Sequence, residues 1–176
     1  MIIPFPKQVE VVDQMLADLQ EREYALVIAG QRSGKTSMCY QLAARAKYPT
    51  VIMLGMRHIR QPLAAHGVPD SVRVEYAAYH AIQEPVGSVL VIVHEPFLVG
   101  DSHKMFSELR DYGCHVAAIG SLGPAYEDDN IWKTLVARRY ATWEINPNVT
   151  QNSDLIRSAY ADNPGKAARD FGSVSP

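Results

Sequence analysis

The residues whose types and spacing could do chemistry stand together early in the chain, as Ala29-Gly30-Gln31-Arg32-Ser33-Gly34-Lys35-Thr36. The spacing is that of GxxxxGK[ST], with Ala29 in place of the first glycine. Gly30 and Gly34 let the backbone curl so that successive N–H groups, from Gln31, Arg32 and Ser33 on to Ser37, point inward at a phosphate. Lys35 then reaches the β and γ phosphates of a triphosphate such as ATP. Thr36 offers a hydroxyl oxygen to Mg²⁺, a hard cation that takes oxygen ligands and keeps most of its waters. A helix starting at about Gly34 turns its positive end toward the same anion. The plainer reading is a Gly/Ser turn between strand and helix, but strand, loop and helix agree on a phosphate-binding loop.

A second group follows the most apolar run of the chain, Val89-Leu90-Val91-Ile92-Val93, which ends on His94-Glu95-Pro96. Phosphoryl transfer to water needs one carboxylate near the Mg²⁺ shell and another to align the attacking water. Glu95 is the candidate base and a candidate metal residue with Thr36. His94 stands where an Asp would hold magnesium, and an imidazole is a poor ligand for so hard an ion. It reads as a hydrogen-bonded residue at a strand end, leaving the metal to Thr36 and the phosphates, or to an acid from elsewhere such as Asp101. Slow turnover by the isolated domain is the expectation.

Weaker candidates surround these. Gln8, after Phe5-Pro6-Lys7, could pair with the N6 and N7 edge of adenine, or be an ordinary helix residue. Ser121, in the turn Gly120-Ser121-Leu122-Gly123-Pro124, could sense the γ-phosphate. An arginine can neutralise charge on the transferred group, and Arg32 within the loop comes first, then Arg139.

The elements that must position these groups alternate along the chain. Val9, Val12, Leu16 and Leu19 recur at helical spacing from near Lys7. Strands are expected at Tyr24–Ile28, Thr50–Leu54, Ser71–Glu75, Val89–Val93 and His115–Ile119. Between them lie a helix to about Lys47, a short one over Met56–His66 interrupted by Pro62, an ambiguous stretch from Tyr76 to Glu84 with Tyr79 and His80 on a helical turn, and a helix over Asp101–Tyr112 stopped by Gly113. After Glu127 come a helix around Trp132, a possible added strand over Ala141–Ile145 and a last helix over Asp154–Tyr160. Continuous apolar strands alternating with helices predict an α/β three-layer sandwich of the P-loop NTPase kind, with a central, mostly parallel sheet. Ligands in such sheets bind beyond the carboxyl ends of the strands, where the loop, His94-Glu95 and Ser121 would converge.

With 176 residues the chain suits one domain: a P-loop core over 1–148, and a helical or linker segment over 149–176 of the same domain. A hydrophobic fraction of 47% with 20% charged residues fits a soluble globular protein, and the net charge of −2 announces no nucleic-acid surface. Apolar runs fall well short of the ~18 residues of a membrane span, and the N-terminus lacks the pattern of a secretory signal. Cys39 and Cys114 form no metal or redox spacing and read as buried small hydrophobes in the cytosol.

These motifs, in this order, resemble the ATPase domain of the large terminase subunit, the motor that packages DNA into tailed-phage heads. Phe5-Pro6-Lys7-Gln8 is similar to that family's adenine-binding Gln motif, and Gln31–Thr36 to its phosphate-loop variant. Met53–Arg57 matches the motif after the second strand, Val91–Glu95 the Walker B strand, and Ile119–Pro124 the coupling motif. Trp143–Pro147, Asp154–Ile156 and Ala168–Phe171 resemble the stretch joining ATPase to nuclease. The departures are His94 for Asp and the absence of a nuclease domain, so that the chain would be a cut piece or a short protein whose nuclease is separate. The resemblance implies ATP and Mg²⁺ as cofactors and a homo-oligomeric ring on the portal of a procapsid in the host cytoplasm. Its partners would be double-stranded DNA, the portal protein and the small terminase subunit, with no membrane. DNA contacts would be mostly to phosphates, from among Lys104, Arg110, Lys133, Arg138, Arg139 and Lys166. Two competitors share the loop: a small P-loop nucleotide kinase, and a catalytically weak nucleotide-binding assembly protein.

Overall fold

A computed structural model describes residues 2–78, 81, 88–98, 101–123 and 130–172. The chain is α/β, with a six-stranded sheet between two helical layers. The strands are β1 (Tyr24–Ala29), β2 (Thr50–Leu54), β3 (Arg73–Ala77), β4 (Leu90–His94), β5 (His115–Gly120) and β6 (Ala137–Tyr140). Their spatial order is β3-β2-β4-β5-β1-β6, and every pairing is parallel. Parallel neighbours require crossovers, and helices supply most of them: α1 (Pro6–Arg22) leads into β1, and α2 (Lys35–Arg45), α3 (Ser102–Asp111) and α4 (Asn130–Thr134) link later strands.

Successive residues of a strand face opposite sides of the sheet, and the core divides accordingly. Val11 and Met15 of α1 and Met38 and Leu42 of α2 cover Val27, Ile92 and Ile119 on one face. On the other, Phe97, Phe106, Leu109 and Trp132 cover Leu26, Val91, Val116 and Ala118. Both faces of β1, β4 and β5 are therefore dry, which is why those strands read as unbroken apolar runs. Trp132 is fully buried, edge-on to Phe97, and its indole N–H donates to Ser102 Oγ at 3.2 Å. Cys39 and Cys114 are buried free thiols, each with its pKa pushed up by desolvation.

Several expected elements are corrected. Ala141–Ile145 is no strand. The strand is β6, one step earlier, followed by a short helix, α5 (Thr142–Ile145), whose Glu144 carboxylate accepts from the Ala141 N–H. β6 escapes a hydrophobicity reading because Arg138 and Arg139 occupy its centre. Arg138 turns to the α1 face and forms a two-pronged pair with the buried Asp18, at 2.7 and 2.9 Å, which Arg22 joins at 2.8 Å. The Met56–His66 helix shrinks to a 3₁₀ turn at Leu63–His66, since Gly55 (φ +75°) and Pro62 break the run. β3 sits two residues later than expected, and α2 ends at Arg45. The helix expected over Asp154–Tyr160 is present as α6 (Asp154–Asp162), and a further one, α7 (Pro164–Phe171), follows it, set off by Pro164 and capped by the Asn163 side chain, which accepts from the Lys166 N–H at 3.0 Å. The expected turn at Tyr79 and His80 lies outside the described residues. No helix among the described residues is long and apolar enough to cross a membrane.

Candidate phosphate site

The strand order puts the carboxyl ends of β4, β5 and β1 side by side. β1 hands over to the 30–34 loop and α2, β4 ends at His94, and β5 ends at Gly120, just before Ser121. The first N–H groups of α2, those of Lys35, Thr36 and Ser37, have no partner within the helix and carry its positive end.

Lys35 is buried, and its ammonium donates to the Gly30 carbonyl at 3.1 Å and stands 3.1 Å from Glu95 Oε1. Ser121 closes the group: its N–H donates to Glu95 Oε2 at 2.7 Å and its hydroxyl to Oε1 at 3.4 Å. Glu95 itself has φ +54°, a left-handed conformation that costs a non-glycine residue about 1–3 kcal/mol. The twist is held by its N–H bond to the Ile119 carbonyl at 2.8 Å. Gly120 makes room: a Cβ there would lie 2.8 Å from Pro96 Cδ and 3.2 Å from Glu95 Oε2.

Thr36 and Glu95, the expected metal pair, turn to different partners. The Thr36 hydroxyl meets His94 Nε2 at 3.3 Å, while both Glu95 oxygens are engaged by Lys35 and Ser121. Burial is the main cause holding the His94 pKa below the usual histidine range; the charge of Glu95 opposes it and Lys35 adds to it. A threonine oxygen beside an imidazole nitrogen does not match Mg²⁺, which takes oxygen ligands. Asp101 is the exposed N-cap of α3.

The remaining loop residues serve mainly to hold the loop. Ser33 is buried and donates from Oγ to the Gly30 carbonyl at 2.7 Å. Gln8 is buried too, its Oε1 accepting from the Phe5 N–H at 3.1 Å and its Nε2 donating to the Ser33 carbonyl at 2.9 Å. Each amide end thus has a partner, and the residue expected to read adenine also pins the loop to α1. Ser37 accepts from Gln41 Nε2 at 3.3 Å. Arg32 is exposed, in a left-handed conformation at φ +62°. Arg139, also exposed, lines a cleft of about 560 Å³ with Gly30, Trp143, Glu144 and Arg169. Of the six candidate DNA-contacting residues, Arg138 pairs with Asp18, Lys104 pairs with Glu108, and Arg110 stacks on Tyr24.

A clamp from the end of the chain went unread in the sequence. The Gln31 N–H donates to the Asp170 carbonyl at 2.5 Å, Thr142 Oγ1 donates to the Gln31 carbonyl at 2.7 Å, and Asn146 Nδ2 donates to the Arg32 carbonyl at 2.7 Å. Gly30 is where this clamp approaches most closely. A Cβ there would sit 2.2 Å from Thr142 Oγ1 and 2.8 Å from the Phe171 carbonyl oxygen. That glycine was the one signal available, since a required glycine can mark a close approach as well as a turn. Gly30→Ala should cost about 1–3 kcal/mol by forcing the clamp outward. Urea unfolding checks this, with a lower midpoint at unchanged slope as the expected result. No protein-family model matches the chain, and no curated protein is similar enough to align with it.

Proposed function

We propose that the chain is an ATP-binding and ATP-hydrolysing domain, and that it works as the motor of a viral terminase, coupling hydrolysis to translocation of double-stranded DNA into a capsid. The observation that carries the hydrolase reading is the meeting of Lys35 with Glu95 beside the start of α2, with Ser121 closing the group from the neighbouring strand. An ammonium, a carboxylate and a helix N-terminus on one sheet edge are the parts that triphosphate hydrolysis uses.

In this reading the α2 N–H groups and Lys35 bind the phosphates, Lys35 moving from Glu95 to the β and γ oxygens. Glu95, released on that side and still held by the Ser121 N–H, accepts a hydrogen bond from the attacking water and takes its proton. Ser121, on the same carboxylate, moves when Glu95 does. Arg32, exposed on the loop, is the first candidate to stabilise the charge of the transferred group, and Arg139 of a neighbouring subunit the second. None of these steps passes through Mg²⁺, because the residues at Thr36 do not suit that ion.

The terminase assignment rests on the order of the motifs along the chain, and DNA is its discriminating ligand. Phosphate release from ATP should rise when double-stranded DNA is added, and the stimulation should fade with salt and not depend on sequence. Transfer of phosphate to a small acceptor instead would identify a kinase, and failure to bind ATP would end the hydrolase reading altogether.

A further inference from the structure

The contact between Thr36 and His94 joins the one loop hydroxyl placed for a cation to the one residue whose type does not suit magnesium. We propose that the cation accompanying a triphosphate is held by His94 Nε2 together with Thr36 Oγ1, and that the site therefore prefers a first-row transition cation that accepts nitrogen, Co²⁺ ahead of Mn²⁺, to Mg²⁺. This rests on the nucleotide reading and goes further, by naming the class of metal.

Three observations support it. The two atoms are 3.3 Å apart. Two ligands at right angles on one six-coordinate ion, with bonds of about 2.1 Å, stand about 3.0 Å apart. A small adjustment therefore lets one ion replace the hydrogen bond. Next, Glu95 adjoins His94 in the chain, yet it engages its oxygens with Lys35 and Ser121. When Lys35 leaves for the phosphates, Oε2 stays on the Ser121 N–H and Oε1 turns to the attacking water, so neither oxygen joins the cation. Last, no group of three or more His, Cys, Asp or Glu that could hold a metal occurs among the described residues. One nitrogen and one hydroxyl cannot retain an ion alone, so the other ligands must be phosphate oxygens and water. The cation then arrives with the nucleotide. Nitrogen ligation favours Co²⁺ over Mn²⁺ by the usual divalent order, and both over Mg²⁺.

The test uses the full chain and a non-hydrolysable ATP analogue preloaded with Mg²⁺, Mn²⁺ or Co²⁺. Affinity for the complex should rise in that order, by about 10-fold or more from Mg²⁺ to Co²⁺, a span that even outer partners of a metal can command. With Mn²⁺, pulsed electron paramagnetic resonance should show coupling to one imidazole ¹⁴N. His94→Asp should abolish that coupling and turn the preference to Mg²⁺. The wild-type spectrum is decisive by itself should the variant misfold. Equal affinities with no nitrogen coupling would overturn the metal assignment while leaving nucleotide binding intact. An analogue that bound neither with any of the three cations nor without them would overturn the nucleotide reading, and this proposal with it.

Discussion

Replacing Glu95 with glutamine should lower ATP hydrolysis by about 10²- to 10⁴-fold, the usual worth of a positioned base, while ATP should bind as well as before or more tightly. The two effects separate because the carboxylate has two partners. On one side it accepts from the Ser121 N–H at 2.7 Å, a bond that a glutamine carbonyl keeps. The side chain therefore retains its place and its twist. On the other it holds Lys35 at 3.1 Å, a pair that must open before the ammonium can reach a phosphate. A neutral amide releases the lysine more easily, so binding gains from the change that removes the base. Filter-binding of labelled ATP alongside phosphate release checks both arms. Undiminished turnover in Glu95→Gln would mean that the attacking water is aligned by another group. Ser121→Ala should weaken turnover by less, since its N–H still anchors the carboxylate.

The part of this arrangement legible in the sequence is the part made by local rules. Continuous apolar runs gave away β1, β2, β4 and β5, because both sides of each are covered and no alternation is needed. The position of Glu95 followed from the same logic, as the polar residue just past the most apolar strand. β6 was hidden, since its order comes from pairing with β1 and from the Arg138–Asp18 pair, which spans 120 positions. Thr142-Trp143-Glu144-Ile145 alternates by residue type as a strand would, whereas the Glu144 cap and the helix geometry make it α5 in the fold. The clamp of Thr142, Asn146 and Asp170 on the loop consists of bonds to backbone groups, which leave no trace in residue spacing. The Gln8 amide matches an adenine edge by residue type, and it matches the Phe5 N–H and the Ser33 carbonyl equally well, so spacing alone does not choose between these partners.

Lys35→Met should abolish measurable ATP binding, and should also destabilise the fold by about 2–3 kcal/mol, below the ~3–5 of a fully buried pair because Glu95 keeps some contact with water. The two losses have different origins. Binding should fail because the ammonium proposed to meet the phosphates is gone. Stability falls because the Glu95 carboxylate, 19% exposed against 7% for the lysine side chain, is left without its countercharge. Methionine fills much of the lysine's volume, so little of the effect is a cavity. The double variant Lys35→Met/Glu95→Gln removes the stranded charge and should recover most of the lost stability while recovering no ATP binding. Chemical denaturation of the three variants, beside titrations with ATP, separates the contributions. If the double variant were no more stable than Lys35→Met, the cost would lie in the loop itself, through the lost Lys35 bond to the Gly30 carbonyl. The ion pair would then be a bystander to folding, and Lys35 would stabilise the chain through the loop carbonyl rather than through Glu95.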